Sequence, residues 1–112
     1  MKVTETFFSL EVADMARATK FYQEALGADV AYATSFWTSL YVARVRVGLF
    51  ANLEHEGGRT GLHFAVSDLE EALTEITKAG GRVVSSPTSP APGVITADAA
   101  DTEGNIFTLR GS

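Results

Sequence analysis

The chain has 112 residues, 46% of them apolar, enough for one compact domain to bury a core without metal or disulfide staples. A net charge of −5 with nine scattered Lys and Arg excludes the clustered basic face that phosphate neutralisation needs, so no nucleic-acid partner is expected. The absence of cysteine excludes disulfides, thiol nucleophiles and thiolate metal sites. No apolar run approaches the roughly 18 to 20 residues that span a bilayer. Met1-Lys2-Val3-Thr4-Glu5 also lacks the basic-then-apolar order of a signal peptide, so the expected setting is cytoplasmic, with no membrane partner.

In chain order, Phe8, Leu10 and Val12 alternate as one apolar face of a strand. Asp14 then stands where a carboxylate accepts from the free amides of a first helical turn. Met15, Ala18, Phe21, Tyr22 and Ala25 recur at three- and four-residue spacing, which gives the helix one buried stripe, and Gly27 stops it. Strands are predicted over Asp29 to Thr34, Trp37 to Ala43 and Val45 to Ala51. After Asn52 to Thr60, a polar linker, the order repeats. A strand carrying Leu62, Phe64 and Val66 leads to a cap at Asp68 and a stripe of Leu69, Ala72, Leu73, Ile76 and Ala79, with a stop at Gly80-Gly81. Further strands are predicted over Arg82 to Ser86, Val94 to Ala100 and Asn105 to Arg110, with Pro87 to Gly93 read as a loop on the rim of a cavity.

The repeat is measurable: a shift of 54 residues superimposes Phe7 to Val30 on Gly61 to Val84 without a gap, with identities at six of 24 positions that include both cap aspartates. The fold class is therefore α+β: two tandem βαβββ modules forming a curved, partly closed mixed sheet with the helices outside. Module one is 1–51, the linker 52–60 and module two 61–112. In each module, strand, helix and returning strand make a right-handed parallel crossover, and tight turns add the next two strands.

Val12-Ala13-Asp14 with Phe21-Tyr22 and Leu26-Gly27, then Val66-Ser67-Asp68-Leu69, Gly80-Gly81 and Asp101-Thr102-Glu103-Gly104-Asn105, resemble the vicinal oxygen chelate superfamily in that order. That superfamily holds glyoxalase I, extradiol dioxygenases and bleomycin-resistance proteins. The resemblance implies metal ligands, usually His, Glu or Gln, on the first and last strand of each module. Carried over, these positions are Phe7, Gly48, Gly61 and Thr108. A neutral hydroxyl among Phe and two Gly does not supply the converging donors that a divalent ion needs, so no metal and no other cofactor is expected. The resemblance then points to members like bleomycin-resistance proteins, which hold a compound, and to a homodimer, often with modules of two chains sharing one cup.

Strand parity turns Phe7, Ser9 and Glu11 away from the first helix and into the concavity, and it does the same for Gly61, His63 and Ala65. Trp37 and Tyr41, with Phe36, are read as aromatic wall, suited to a flat or apolar ligand; Thr108 and Arg110 share the pocket parity. The expected ligand-binding set is Phe7, Ser9, Glu11, Trp37, Tyr41, His63, Thr108 and Arg110. His63 is also the candidate catalytic residue, as a general base, with a core histidine tied to Glu11 or a backbone carbonyl as the other reading. Glu11 is expected to face Arg110 or a cationic ligand, and His55 to be a solvated loop residue. Three functions stay open: a metal-free small-molecule binder, sequestering an antibiotic or aromatic metabolite; a lyase, isomerase or dioxygenase-like enzyme with displaced metal ligands or His63 as base; and a regulatory or accessory module whose cup has become core.

Overall fold

A computed structural model describes residues 1–111; Ser112, the last residue of the second module, lies outside them. The first module runs β1 (Phe8–Val12), α1 (Met15–Leu26), β2 (Asp29–Ala33), β3 (Trp37–Val42) and β4 (Val45–Ala51). The second runs β5 (Gly58–Ala65), α2 (Leu69–Lys78), β6 (Arg82–Ala91), β7 (Val94–Ala100) and β8 (Asn105–Gly111). Both helices start where the sequence places them. The Asp14 side chain accepts from the Arg17 amide at 3.0 Å and the Asp68 side chain from the Glu71 amide at 3.1 Å. Gly27 ends α1 at φ 63°, a left-handed conformation in which a β-carbon would be strained.

Two four-stranded sheets result, ordered β1-β4-β3-β2 and β5-β8-β7-β6, and among the described residues no ladder joins them. The crossover after each helix therefore carries the chain to the far edge of its sheet, and the last strand of the module, not the second, lies parallel against the first. This order follows from the tight turns: β2, β3 and β4 are successive antiparallel neighbours, so β4 arrives beside β1. Leu10, Val12, Leu40, Val47 and Leu49 of the first sheet and Leu62, Ala97, Ala99, Phe107 and Leu109 of the second are buried with Ala18, Phe21, Tyr22, Leu69 and Ile76 in one core. Burial of each large apolar side chain contributes about 1.5–3 kcal/mol.

Two boundaries differ from the sequence reading. Pro87 to Gly93 is not a free loop, because β6 continues through Pro87 and Pro90 to Ala91. It is the outermost strand, where a missing amide costs no ladder bond, and its register slips three times along β7. β5 also begins at Gly58, inside the stretch read as linker, where Gly58 and Arg59 already pair with Asn105 and Ile106.

The modules are tied together by a buried polar knot at the turn between β7 and β8. Asp101, Glu103 and Asn105 are 3%, 5% and 3% exposed. Glu103 accepts from the amides of Ala13 (3.0 Å) and Asp14 (2.8 Å) and from Arg17 Nε (2.8 Å). The Tyr22 hydroxyl donates to Asp101 at 2.6 Å. Burial, reinforced by the Asp101 charge, holds the Tyr22 phenol well above its ordinary range. Burial also works against the Glu103 carboxylate, but hydrogen bonds from Arg17, Thr102 and the Asp14 amide outweigh it and bring its pKa below the usual glutamate range. Asn105 Nδ2 donates both to the Glu11 carbonyl (2.9 Å) and to Asp101 (3.0 Å), so its oxygen is left to accept from His55 Nε2 at 2.8 Å. His55 is thus a pinned junction residue with a side chain only 13% exposed, which corrects its reading as a solvated loop histidine.

Candidate functional site

The face of the first sheet turned away from α1 is an aromatic surface. Phe7 and Trp37 meet edge to face with ring centroids 6.4 Å apart, and Trp37 meets Phe50 at the same distance. The Arg46 guanidinium lies 4.2 Å over the Phe7 ring and pairs with Glu5 at 3.0 Å, so this arginine is a stacked residue and not a freely solvated one. Trp37 Nε1 donates to Ser39 Oγ at 2.8 Å. Ser39 pairs with Gly48, which pairs with Ser9, so three strands meet in one row. The indole lies across Gly48, and a methyl group built there would overlap its six-membered ring. Tyr41, opposite Arg46, completes the surface and is 39% exposed; Phe36, beyond the start of β3, is 63% exposed and stands apart.

Register also bears on the carried-over position Gly48. Gly48 pairs with Ser9, Thr108 pairs with His63, and Ser9 and His63 are related by the 54-residue shift. Gly48 and Thr108 are therefore equivalent. Gly61 sits in a bulge at φ 80°, where the four steps from Arg59 to His63 match two steps along β8; Thr60 Oγ1 donates to the Ile106 carbonyl at 2.7 Å and accepts from the Leu62 amide at 3.1 Å.

The second sheet offers a polar surface instead. His63, Thr108, Asp98 and Ser85 form one row across β5, β8, β7 and β6. Thr108 Oγ1 donates to Asp98 at 2.7 Å, and Arg59 reaches the other carboxylate oxygen at 3.1 Å. The Thr108 bond, opposed by partial burial and aided by Arg59 and the neighbouring His63, holds the Asp98 carboxyl below its usual range. Arg110 lies one row on, opposite Ala65 and Thr96, and is exposed. Asp98, Arg59 and Phe50 were missed from sequence, although Thr96, Asp98 and Ala100 alternate like a pocket face in a strand already recognised. Glu11 meets neither Arg110 nor His63: it contacts Asn52 Nδ2 at 3.4 Å and His55 at 3.7 Å. Among the described residues, no hydrogen bond or ion pair joins Phe7, Ser9, Glu11, Trp37 or Tyr41 to His63, Thr108 or Arg110. The structure brings together two groups, one aromatic and one polar.

A glyoxalase-like domain profile matches residues 7–110, nearly the whole chain. The chain belongs to that family. The glyoxalase-like fold is that of the vicinal oxygen chelate superfamily, and solved structures carry the same architecture at low identity. A hypothetical protein, SA1046 of S. aureus, is 22% identical with TM-score 0.80, covering 100% of this chain and 96% of its own. The fosfomycin resistance protein FosX of Listeria monocytogenes is 17% identical with TM-score 0.83, covering 100% and 95%. A lactoylglutathione lyase of Agrobacterium tumefaciens is 15% identical with TM-score 0.75, covering 99% and 96%. No curated protein matches significantly. No helix of this glyoxalase-like domain is long and apolar enough to cross a membrane, among the described residues.

The donor set does not fit the superfamily's metal. At the four equivalent positions stand an aromatic ring, a glycine covered by indole, a glycine in a bulge, and a threonine whose hydroxyl is committed to Asp98. Among the described residues, no group of three or more His, Cys, Asp or Glu converges as a metal site would require.

Proposed function

We propose that this glyoxalase-like domain is a metal-free small-molecule binding protein of the bleomycin-resistance type, holding a flat or apolar compound such as an antibiotic or aromatic metabolite in a cytoplasmic setting. The observation that carries this reading is the Trp37 indole laid over Gly48, at a position where relatives place a metal ligand. A half-buried indole with an exposed phenyl ring and phenol on one sheet face offers stacking area and no carboxylate or imidazole for an ion. Phe7, Trp37 and Tyr41 form the aromatic wall of the site, with Ser9 and Glu11 on the same sheet; His63, Thr108 and Arg110 of the second sheet supply polar contacts. β1 and β5 are both outermost strands with free edges, and Phe7 and Phe8 beside one of them are 41% and 48% exposed. A homodimer that covers these edges is part of the proposal. Native mass spectrometry with metal analysis tests it: an organic ligand retained or added without metal is the expected result, and a stoichiometric, tightly bound divalent ion overturns it.

A second reading, a lyase, isomerase or dioxygenase-like enzyme with His63 as general base, draws support from one feature. His63 shares its row with Thr108 and with a carboxylate kept ionised. Turnover unchanged in His63→Ala removes that reading.

A further inference from the structure

Met1 to Phe7 belong to no helix or strand and are all exposed, yet the arm they form is fastened at one point. Both carboxylate oxygens of Glu5 accept from Arg46 Nη1 at 3.0 Å. Arg46 is itself placed by the aromatic face. Its guanidinium lies 4.2 Å over the Phe7 ring, and its Nη2 donates at 3.4 Å to Ser39 Oγ, the same oxygen that accepts from Trp37 Nε1. β4 lies between β1 and β3, with Tyr41 opposite Arg46, so this cation stands within the sheet face and not on the β1 edge that a second copy would cover. A guanidinium held by a ring and a hydroxyl keeps its place when a carboxylate leaves it.

The grip on Glu5 is the weaker part. The Glu5 side chain is 53% exposed, and a single guanidinium nitrogen serves it, short of the two-nitrogen fork that makes arginine–carboxylate pairs strong. Exposed ion pairs of this kind contribute little and are readily exchanged. We infer that Arg46 is the anion-recognising residue of the aromatic face, that its ligand is a planar aromatic carboxylate, and that Glu5 occupies the carboxylate position in the free protein. The inference rests on the aromatic face being the binding site and names the class of compound it takes: rings against Phe7, Trp37 and Tyr41, the carboxylate in exchange for Glu5.

2-Naphthoate and its uncharged counterpart 2-naphthamide are the probes, titrated against the nitrogen-15-labelled chain with the Trp37 indole N–H followed by NMR. 2-Naphthoate should bind about tenfold more tightly, because only its anion forms a charged pair with the guanidinium. Glu5→Gln should tighten 2-naphthoate by a further factor of roughly two to five, since an exposed ion pair no longer has to be broken, and leave 2-naphthamide unchanged. Glu70→Gln, the same change of charge at the exposed start of α2, should alter neither affinity. Arg46→Gln should erase the preference for the anion; Glu5→Gln touches only the exposed arm, so its result stands should the Arg46 variant not fold. Equal binding of the two compounds, or no effect of Glu5→Gln on 2-naphthoate, overturns the inference and leaves the aromatic site standing. No Trp37 shift with either compound overturns both, as does a Trp37 shift that follows protein concentration alone, because a second copy then covers this face.

Discussion

Replacement of Glu103 by Ala removes a side chain that no water reaches and that serves five donors: the amides of Ala13 and Asp14, Arg17 Nε and NH2, and the Thr102 hydroxyl. Each backbone amide loses a charged acceptor, at about 1.5–3 kcal/mol. The Arg17 guanidinium is 53% exposed, so its pairing contributes roughly 1 kcal/mol or less after solvent screening. The expected loss is about 4 kcal/mol, a large share of the roughly 5–15 kcal/mol that holds a domain together. Urea unfolding should show the midpoint lowered by roughly 2 M with an unchanged slope. Arg17→Ala should cost clearly less, because the carboxylate keeps both amides and the Thr102 hydroxyl. The pH dependence has a definite sign. Glu103 has its pKa depressed in the fold, so its stabilisation is present above the unfolded glutamate pKa of about 4.3 and is lost as pH falls through the lower folded value. The gap between wild type and Glu103→Ala should therefore close only in acid. A loss under about 1 kcal/mol, or an Arg17→Ala cost equal to that of Glu103→Ala, would refute the view that Glu103 acts chiefly as a cap joining the modules.

Gly48→Ala should push the indole off the sheet at a cost of about 1–3 kcal/mol, seen as a changed emission of Trp37, the single tryptophan, together with weakened ligand binding. Thr108→Val takes away the strongest stabiliser of the ionised Asp98 carboxylate, so its pKa should rise toward the ordinary aspartate value, as measured by NMR titration. The acid-side loss of stability would then begin at higher pH. Tyr22→Phe should lower stability by about 1.5–3 kcal/mol, because Asp101 loses a buried donor; an unchanged unfolding midpoint would show that Asn105 and the backbone amides satisfy that carboxylate alone.

Much of the architecture was written in local pattern. Alternation in Phe8-Leu10-Val12 and Leu62-Phe64-Val66, the caps Asp14 and Asp68, and the glycine stops are short-range signals, and their repetition at 54 residues marks two like modules. Parity turned Trp37, Tyr41, His63 and Thr108 away from the helices, because side chains alternate along any strand whatever it packs against, but it read them as the lining of one cavity, whereas the folded chain divides them between two sheets. Pairing was beyond such reasoning. Only the folded chain puts β4 beside β1, in the register that sets Gly48 against Ser9, and lays Trp37 over a residue without a side chain. The bulge at Gly61, the proline-bearing edge strand and the ties of His55 to Asn105 and of Thr108 to Asp98 belong to the same class. Each depends on which strands or turns lie side by side, so the partner, its distance and its burial come from the folded arrangement and not from local pattern.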